Sequence, residues 1–317
     1  MTQRGIQAAG RWMGRAWVTM VLGLCGASMS WQAIADTDLP TRFSNTGSVG
    51  NTRHNLTQRQ TSGGGPAGVT MDSYRNDYGE VCVYCHTPHG ANGTVPAAPL
   101  WNRTVRSTVY QTYNLLNTAS LTQPVSQPGV NSLTCLTCHD GQTAVDSIIN
   151  MPGSGRYRRE QDVAENTAFL NEWNNTRGPD ASVHARLTGT ECLACHSAGA
   201  GIVGANATDF TAFVIGTDLR NDHPVGVRYP TEAGPGTDFK DPPRKGVQLA
   251  FFDANGNNRA DASDIRMYNT GDGYEVECAS CHDPHGVPSA GPGSVFNPTF
   301  LRVSNVGSGV CLTCHTK

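Results

Sequence analysis

The chain has 317 residues, with 23 basic and 26 acidic side chains, a formal net charge of −3, and 38% hydrophobic residues beside 36 glycines and 18 prolines. That balance excludes a basic nucleic-acid-binding surface, because phosphate recognition needs clustered positive charge. The apolar share is below that of an ordinary globular chain, which argues against a conventional layered domain.

The N-terminus reads as an export signal. Arg4, Arg11 and Arg15 precede an apolar run from Ala16 to about Met29, and Ala33-Ile34-Ala35 has the small-residue form of a cleavage site. The expected signal peptide covers 1–35, and the mature chain begins at Asp36. Cys25 falls inside the leader, and Leu24 before it is not the small residue that a lipidation site needs. No later segment is apolar enough to cross a bilayer, so no membrane span is expected in the mature chain. The expected location is the periplasm, or the cell surface and extracellular space.

Every remaining cysteine belongs to one of five copies of Cys-x-x-Cys-His. The first is Cys82, Cys85 and His86; the second is Cys135, Cys138 and His139; the third is Cys192, Cys195 and His196. The fourth is Cys278, Cys281 and His282, and the fifth is Cys311, Cys314 and His315. This is the attachment signature of c-type haem: two thiols one helical turn apart add to the two porphyrin vinyls, and the next residue offers an imidazole to iron. A zinc ribbon needs four cysteines and no histidine after each second one. A thioredoxin-like site needs one pair, and a disulfide framework leaves the five histidines unexplained. Five covalent haems are therefore expected.

Five histidines lie outside the motifs: His54, His89, His184, His223 and His285. One spare imidazole per motif predicts a second axial ligand for each iron. The thioether competitors after cleavage, Met71, Met151 and Met267, are read as packing residues. Trp101, Tyr110 and Tyr113 are read as packing against porphyrin.

The same residues divide the chain. An N-terminal two-haem cassette covers 36–150, a one-haem unit with His184 covers 151–215, and a C-terminal two-haem cassette covers 216–317. In the outer cassettes the first motif continues as Thr87-Pro88-His89-Gly90 and as Asp283-Pro284-His285-Gly286. Proline fixes the backbone and glycine permits a sharp turn, so His89 and His285 project away from their own haems. Each is expected to reach the other haem of its own cassette. Residues 61–69, 197–207, 229–246 and 286–298 read as loops, and 164–175 as one short helix burying Phe169, Leu170 and Trp173. Arg156, Arg158 and Arg159 read as a solvated basic cluster.

A second constellation lies ahead of the fourth motif. Asp253, Asn255, Asn257, Asp261 and Asp264 occupy positions one, three, five, nine and twelve of a loop, and Arg259 offers its carbonyl at seven. This is the ligand spacing of an EF-hand-type calcium loop, with Asn258 at the turn where glycine is usual. It predicts one structural Ca2+ over 253–264; the alternative is a polar turn whose Asp261 caps a helix over 262–268.

Several segments carry a family resemblance. His54-Asn55-Leu56, Val81-Cys82-Val83-Tyr84-Cys85-His86-Thr87-Pro88-His89-Gly90, Ala98-Pro99-Leu100-Trp101-Asn102, Cys135-Leu136-Thr137-Cys138-His139-Asp140-Gly141, Asp222-His223-Pro224-Val225 and Phe300-Leu301-Arg302 resemble the doubled-motif multihaem c-type cytochromes. In motif style these are similar to filament-forming extracellular cytochromes. The resemblance covers most of residues 50–317 and implies haem binding, electron transfer and, more loosely, a homopolymer. The expected fold class is a multihaem cytochrome c: mostly coil, with short α-helices packed around a chain of five haems and little β. The expected function is single-electron transfer with redox proteins or an extracellular acceptor as partners. The competing class is a multihaem reductase with one open iron site, which the histidine count disfavours.

Overall fold

Helical turns form chiefly where the motifs lie. Helix α1 spans Val130–His139, α2 spans Cys278–Cys281 and α3 spans Gly309–Cys314, and each runs into a motif histidine. In α1, Leu133 and Leu136 recur at helical spacing and meet Tyr110, Leu219 and Val225, with Leu136 only 1% exposed. The helix stops at Asp140, followed by Gly141 in the left-handed region (φ +71°). The computed structural model describes residues 43–57, 78, 80–95, 98, 100–150, 186–200, 209–221 and 224–316.

The C-terminal third holds a five-stranded antiparallel sheet in the order β1-β5-β4-β3-β2, made of Val227–Arg228 (β1), Arg244–Lys245 (β2), Leu249–Phe251 (β3), Arg266–Asn269 (β4) and Tyr274–Val276 (β5). Ala250 and Met267 face each other across β3 and β4, are fully buried, and pack with Tyr229. Phe239, Phe252, Val276 and Cys314 surround that cluster. Gly271 (φ +110°) and Gly273 (φ +126°) supply the turn that brings β5 back beside β4.

This sheet overturns the expected fold class of coil and short helices with little β. The strands are two to four residues long, and the inward position of β5 is Glu275, so the polar/apolar alternation that normally reveals a strand is broken. The stretch read as an alternative helix over 262–268 instead enters β4. The segment read as a loop over 229–246 contributes β2. The helix over 164–175 and the arginine cluster at 156–159 lie outside the described residues, as do Met71 and Met151. Met267 is a core residue of the sheet.

The described residues belong to one compact unit, Ile34–Lys317. The N-terminal and C-terminal cassettes interlock within it. Phe296 N donates to Asn45 O at 2.7 Å, and the N-terminus of α1 packs on Glu277.

Candidate functional site

Each motif is wound into a single turn. Cys135 to His139 close α1, Cys278–Cys281 form α2, and Cys311 and Cys314 lie in α3. The first and third motifs sit on 3-10 turns, Val81–Tyr84 and Cys192–Ala194. The motif histidine donates its backbone N–H to the carbonyl of the first cysteine in four of them, at 2.7 Å (His86), 2.9 Å (His196), 3.0 Å (His282) and 2.9 Å (His315). That closure puts the first thiol and the imidazole on one helical face, the arrangement that two thioether bonds and one axial ligand to the same ring require.

The third motif sits on a 3-10 turn and not on an α-helix. Its 3-10 turn ends at Ala194, and Cys195 stands just past it as the C-cap (φ −114°, ψ −28°), its N–H on Cys192 O at 3.2 Å. Cys85 caps the first motif in the same way, with its N–H on Cys82 O at 3.1 Å. At the start of the turn ahead of Cys195, Glu191 has non-helical backbone (φ −111°, ψ −95°), and the Arg186 guanidinium holds its carboxylate. Cys195 is half-buried and forms no disulfide, so it keeps the free thiol that attachment requires.

A second strand of chain brackets three of the motifs identically. Cys85 O accepts from Asn102 N, and Thr87 N donates to Leu100 O, so that His86 pairs with Trp101. Cys281 O accepts from Arg302 N and Asp283 N donates to Phe300 O, pairing His282 with Leu301. Cys314 O accepts from Lys240 N and Thr316 N donates to Asp238 O, pairing His315 with Phe239. A bulky apolar residue therefore lies opposite the motif histidine each time. Phe210 takes the same part at the third motif, its ring 3.9 Å from that of His196 and its N–H on His196 O. In the two outer cassettes the likeness extends to the left-handed backbone at Leu100 (φ +57°) and Phe300 (φ +60°).

Three imidazoles are held through Nδ1 by backbone carbonyls. Nδ1 of His139 lies 2.7 Å from Phe213 O, Nδ1 of His282 lies 2.7 Å from Thr299 O, and Nδ1 of His54 lies 3.1 Å from Pro284 O. A carbonyl only accepts, so Nδ1 carries the proton and Nε2 keeps its lone pair. Nδ1 of His285 is held 3.0 Å from Asp283 Oδ1, the carboxylate–histidine arrangement that strengthens a metal ligand. Burial pushes His54 down to about 4 and His139 downward, so both rings are neutral near pH 7. Burial acts upward on Asp283, yet hydrogen bonding from His285 and the charge of Arg302 hold it at about 2.

Two pairs of rings stand at a telling distance. His86 and His285 have centroids 6.2 Å apart and nearly parallel planes, and His54 and His139 have centroids 6.4 Å apart and nearly perpendicular planes. A metal–nitrogen bond of about 2 Å on each side, plus roughly 1 Å to each ring centre, separates trans imidazoles by roughly 6 Å. Trp101 Nε1, buried beside His86 without a hydrogen-bond partner, is a donor that a haem carboxylate would satisfy. The residues fit the group.

The neighbours of these rings differ in part from those expected. His285 meets His86 of the N-terminal cassette, not the other motif of its own cassette, and His54, not His89, meets His139. The Pro284-His285-Gly286 turn does project outward, with Gly286 at φ +85°, but the neighbour it reaches is set by how the cassettes interlock. His89 is exposed, whereas His184 and His223 lie outside the described residues.

Three thiols have environments that speak against redox activity, whereas Cys278 is lowered by its hydrogen bond with Cys135. Burial pushes Cys85 and Cys314 up to about 12 and Cys281 up to about 11, the reverse of what an attacking thiolate needs. All ten motif cysteines are free of disulfides.

Two residues escaped the sequence reading. Glu277 caps α2 and is 1% exposed; its Oε1 accepts from Gly129 N at 2.9 Å and its Oε2 accepts from Ser132 Oγ. Ser132 Oγ in turn accepts from Cys278 N at 2.7 Å. Beside it Glu275, fully buried, accepts from Ser126 Oγ at 2.8 Å. Here α1 and α2 meet, and Cys135 and Cys278 come within side-chain hydrogen-bonding reach of each other. The alternating spacing of Glu275 and Glu277 was the available signal.

The loop over 253–264 has the turn chemistry of its spacing. Asp253 accepts from Asn257 N (3.1 Å) and Asn258 N (2.9 Å), Asn257 Oδ1 from Arg259 N (2.8 Å), and Asp264 from Ala254 N (3.1 Å) and Asp261 N (2.8 Å). Asn258 takes the left-handed turn at φ +66°. Arg244 Nε, however, donates to Asp253 at 3.0 Å, and the amides of Asn255 and Asn257 point at Asp261. Among the described residues no three His, Cys, Asp or Glu side chains are grouped to hold a metal ion.

In comparisons with known proteins the chain matches no family model and no curated sequence.

Proposed function

We propose that this chain is an exported electron-transfer protein carrying five covalent haems. The observation that best supports the reading is the placement of His86 with His285 and of His54 with His139 at the separation of trans ligands on one iron, each pair including one motif histidine. Haem supplies a metal that cycles between ferric and ferrous states at a potential set by its ligands and surroundings. The chain's part is to hold and tune. The cysteines anchor, the Nδ1 contacts of His54, His139 and His282 fix ring orientation, and the half-buried setting of His54 and His139 limits their contact with water.

Two histidines per iron leave no position for substrate, which favours a carrier over a reductase. The partners are redox proteins or an extracellular acceptor, with assembly into a homopolymer as the larger-scale form. Intact mass spectrometry of protein from a host able to mature c-type haem should show five haem masses beyond the polypeptide, retained after denaturation. Fewer than five overturns the stoichiometry, and stoichiometric carbon monoxide binding by the reduced protein favours the reductase.

Calcium is proposed as a structural ion of loop 253–264, displacing Arg244 from Asp253. Elemental analysis should find one calcium in the wild-type protein and none in Asp253→Ala with haem content unchanged; no calcium in wild type sinks this part.

A further inference from the structure

The place where α1 meets α2 joins elements far apart in sequence. Cys135 and Cys278 belong to different motifs and different cassettes, yet their sulfur atoms lie within hydrogen-bonding reach. Haems anchored there would be neighbours across the cassette boundary. Into this contact the fold places two carboxyl groups, Glu275 and Glu277, that are 0% and 1% exposed. Among the described residues no cation is bonded to either. Glu277 is held by Gly129 N, Ser132 Oγ and the capping contacts of Ser280, and one oxygen of Glu275 has no hydrogen-bond partner.

The charged and titratable groups facing Glu277 are few. Glu275 faces it from β5 and Cys278 adjoins it on α2, while α1 presents the Gly129 N–H, the Ser132 hydroxyl and, against Cys278, the Cys135 thiol. Arg228, opposite Glu275 in the β1–β5 register, runs along Gly273 instead. A buried carboxylate without a cation is costly, and an arriving electron beside it raises that cost through like-charge repulsion.

Resting on the haem reading above, we propose that Glu277 is a proton-binding site coupled to electron transfer at the Cys135/Cys278 junction. When a one-electron donor reduces ferric iron there to ferrous, the Glu277 carboxylate takes one proton from water and becomes the carboxylic acid. Oxidation returns both. Ser126, half-buried and bonded to Glu275, connects the acid pair toward solvent. Burial pushes Glu277 up to about 7, which places the transition in the neutral range.

The test is spectroelectrochemistry of the holoprotein between about pH 5.5 and 8.5, after its haem content is established by intact mass. In wild type the ferrous/ferric ratio of one haem class at fixed potential should fall as pH rises, by roughly tenfold in all, the size expected of one charge about 10 Å away at an effective dielectric near 20. Glu277→Gln should flatten that profile. Should Glu277→Gln fail to fold, Ser132→Ala is the second variant. It removes a hydrogen bond that favours the carboxylate and should move the pH window upward. Redox-difference infrared spectra of wild type should show a carboxylic-acid carbonyl band gained on reduction. Five haems with pH-independent ratios, or a pH dependence kept by Glu277→Gln, overturn the proton site alone. A chain without added haem mass overturns the reading beneath it.

Discussion

His285 and His86 stand 6.2 Å apart, ring centre to ring centre, although 199 residues and a cassette boundary separate them in sequence. On the proposed haem reading, a ligand lent by one cassette to the other would make iron coordination a tertiary clamp as well as a redox setting. His54 meets His139 within its own cassette, while its Nδ1 rests on Pro284 O and its ring lies 4.3 Å from that of Phe300, so its other contacts reach the C-terminal cassette.

Removing a distal ligand should open one iron and leave attachment intact. His285→Ala and His54→Ala should each convert one haem from low to high spin and admit about one equivalent of carbon monoxide. Electron paramagnetic resonance and carbon monoxide titration check this. A low-spin His285→Ala protein would refute the His86–His285 pair, and a second open haem in the double variant is expected because the two sites are separate.

Arg103 ties the first two motifs together from within. Only 1% exposed, it donates to Thr137 Oγ1 (3.1 Å), Thr137 O (2.9 Å), Val145 O (2.9 Å) and Ala144 O (2.8 Å). A guanidinium spreads donors in a plane that an ammonium cannot match. Arg103→Lys should therefore cost about 2–4 kcal/mol, since several buried carbonyls lose their partner. Denaturant unfolding of the holoprotein measures it, and a loss below about 1 kcal/mol would show that the carbonyls find other donors.

Gly286 sets the projection of His285. At φ +85° it already disfavours other residues, and an added Cβ would overlap the Phe296 ring. Gly291 provides a matched control, with φ +97° but open space around it. Gly291→Ala should cost about 1 kcal/mol for backbone strain alone, whereas Gly286→Ala should cost about 2–4 kcal/mol and weaken low-spin ligation at one haem. Equal losses would mean that Phe296 simply moves aside.

What was legible in the sequence was the local turn at each motif, because its geometry depends on neighbouring residues alone. All five motifs wind into the turn that their spelling requires, since Cys-x-x-Cys-His needs only neighbouring residues. The kind of turn was less legible: Cys195 caps a 3-10 turn instead of lying within a helix, and the motif's spelling is the same as that of the helical motifs. The sheet was not legible. Strands as short as Val227–Arg228 and Arg244–Lys245 carry no period, and buried Glu275 breaks the pattern of β5. Ligand pairing was equally hidden, for it depends on contacts such as Phe296 N to Asn45 O that join distant parts of the chain. The bracketing segments could have been noticed: Trp101, Leu301 and Phe239 are bulky apolar residues in otherwise polar surroundings.

Glu277 should leave a signature in stability as well as in potential. Burial raises it from 4.5 to about 7, so between those values the folded protein keeps a proton that the unfolded chain has released. Stability therefore falls as pH rises through that window and is level on either side as far as this group is concerned. The loss is on the order of 3 kcal/mol, given about 1.36 kcal/mol per pH unit. Glu277→Gln should remove the slope, making the variant relatively more stable at pH 8 than at pH 5 when compared with wild type. Gly129→Ala should act in the opposite sense, because its Cβ would meet the Glu277 carboxylate 2.7 Å away and disturb the N–H that favours the charged form. Denaturant midpoints of the oxidised holoprotein at pH 5 and pH 8 decide the matter: parallel curves for wild type and Glu277→Gln would show that the carboxyl keeps an ordinary acidity at the helix junction.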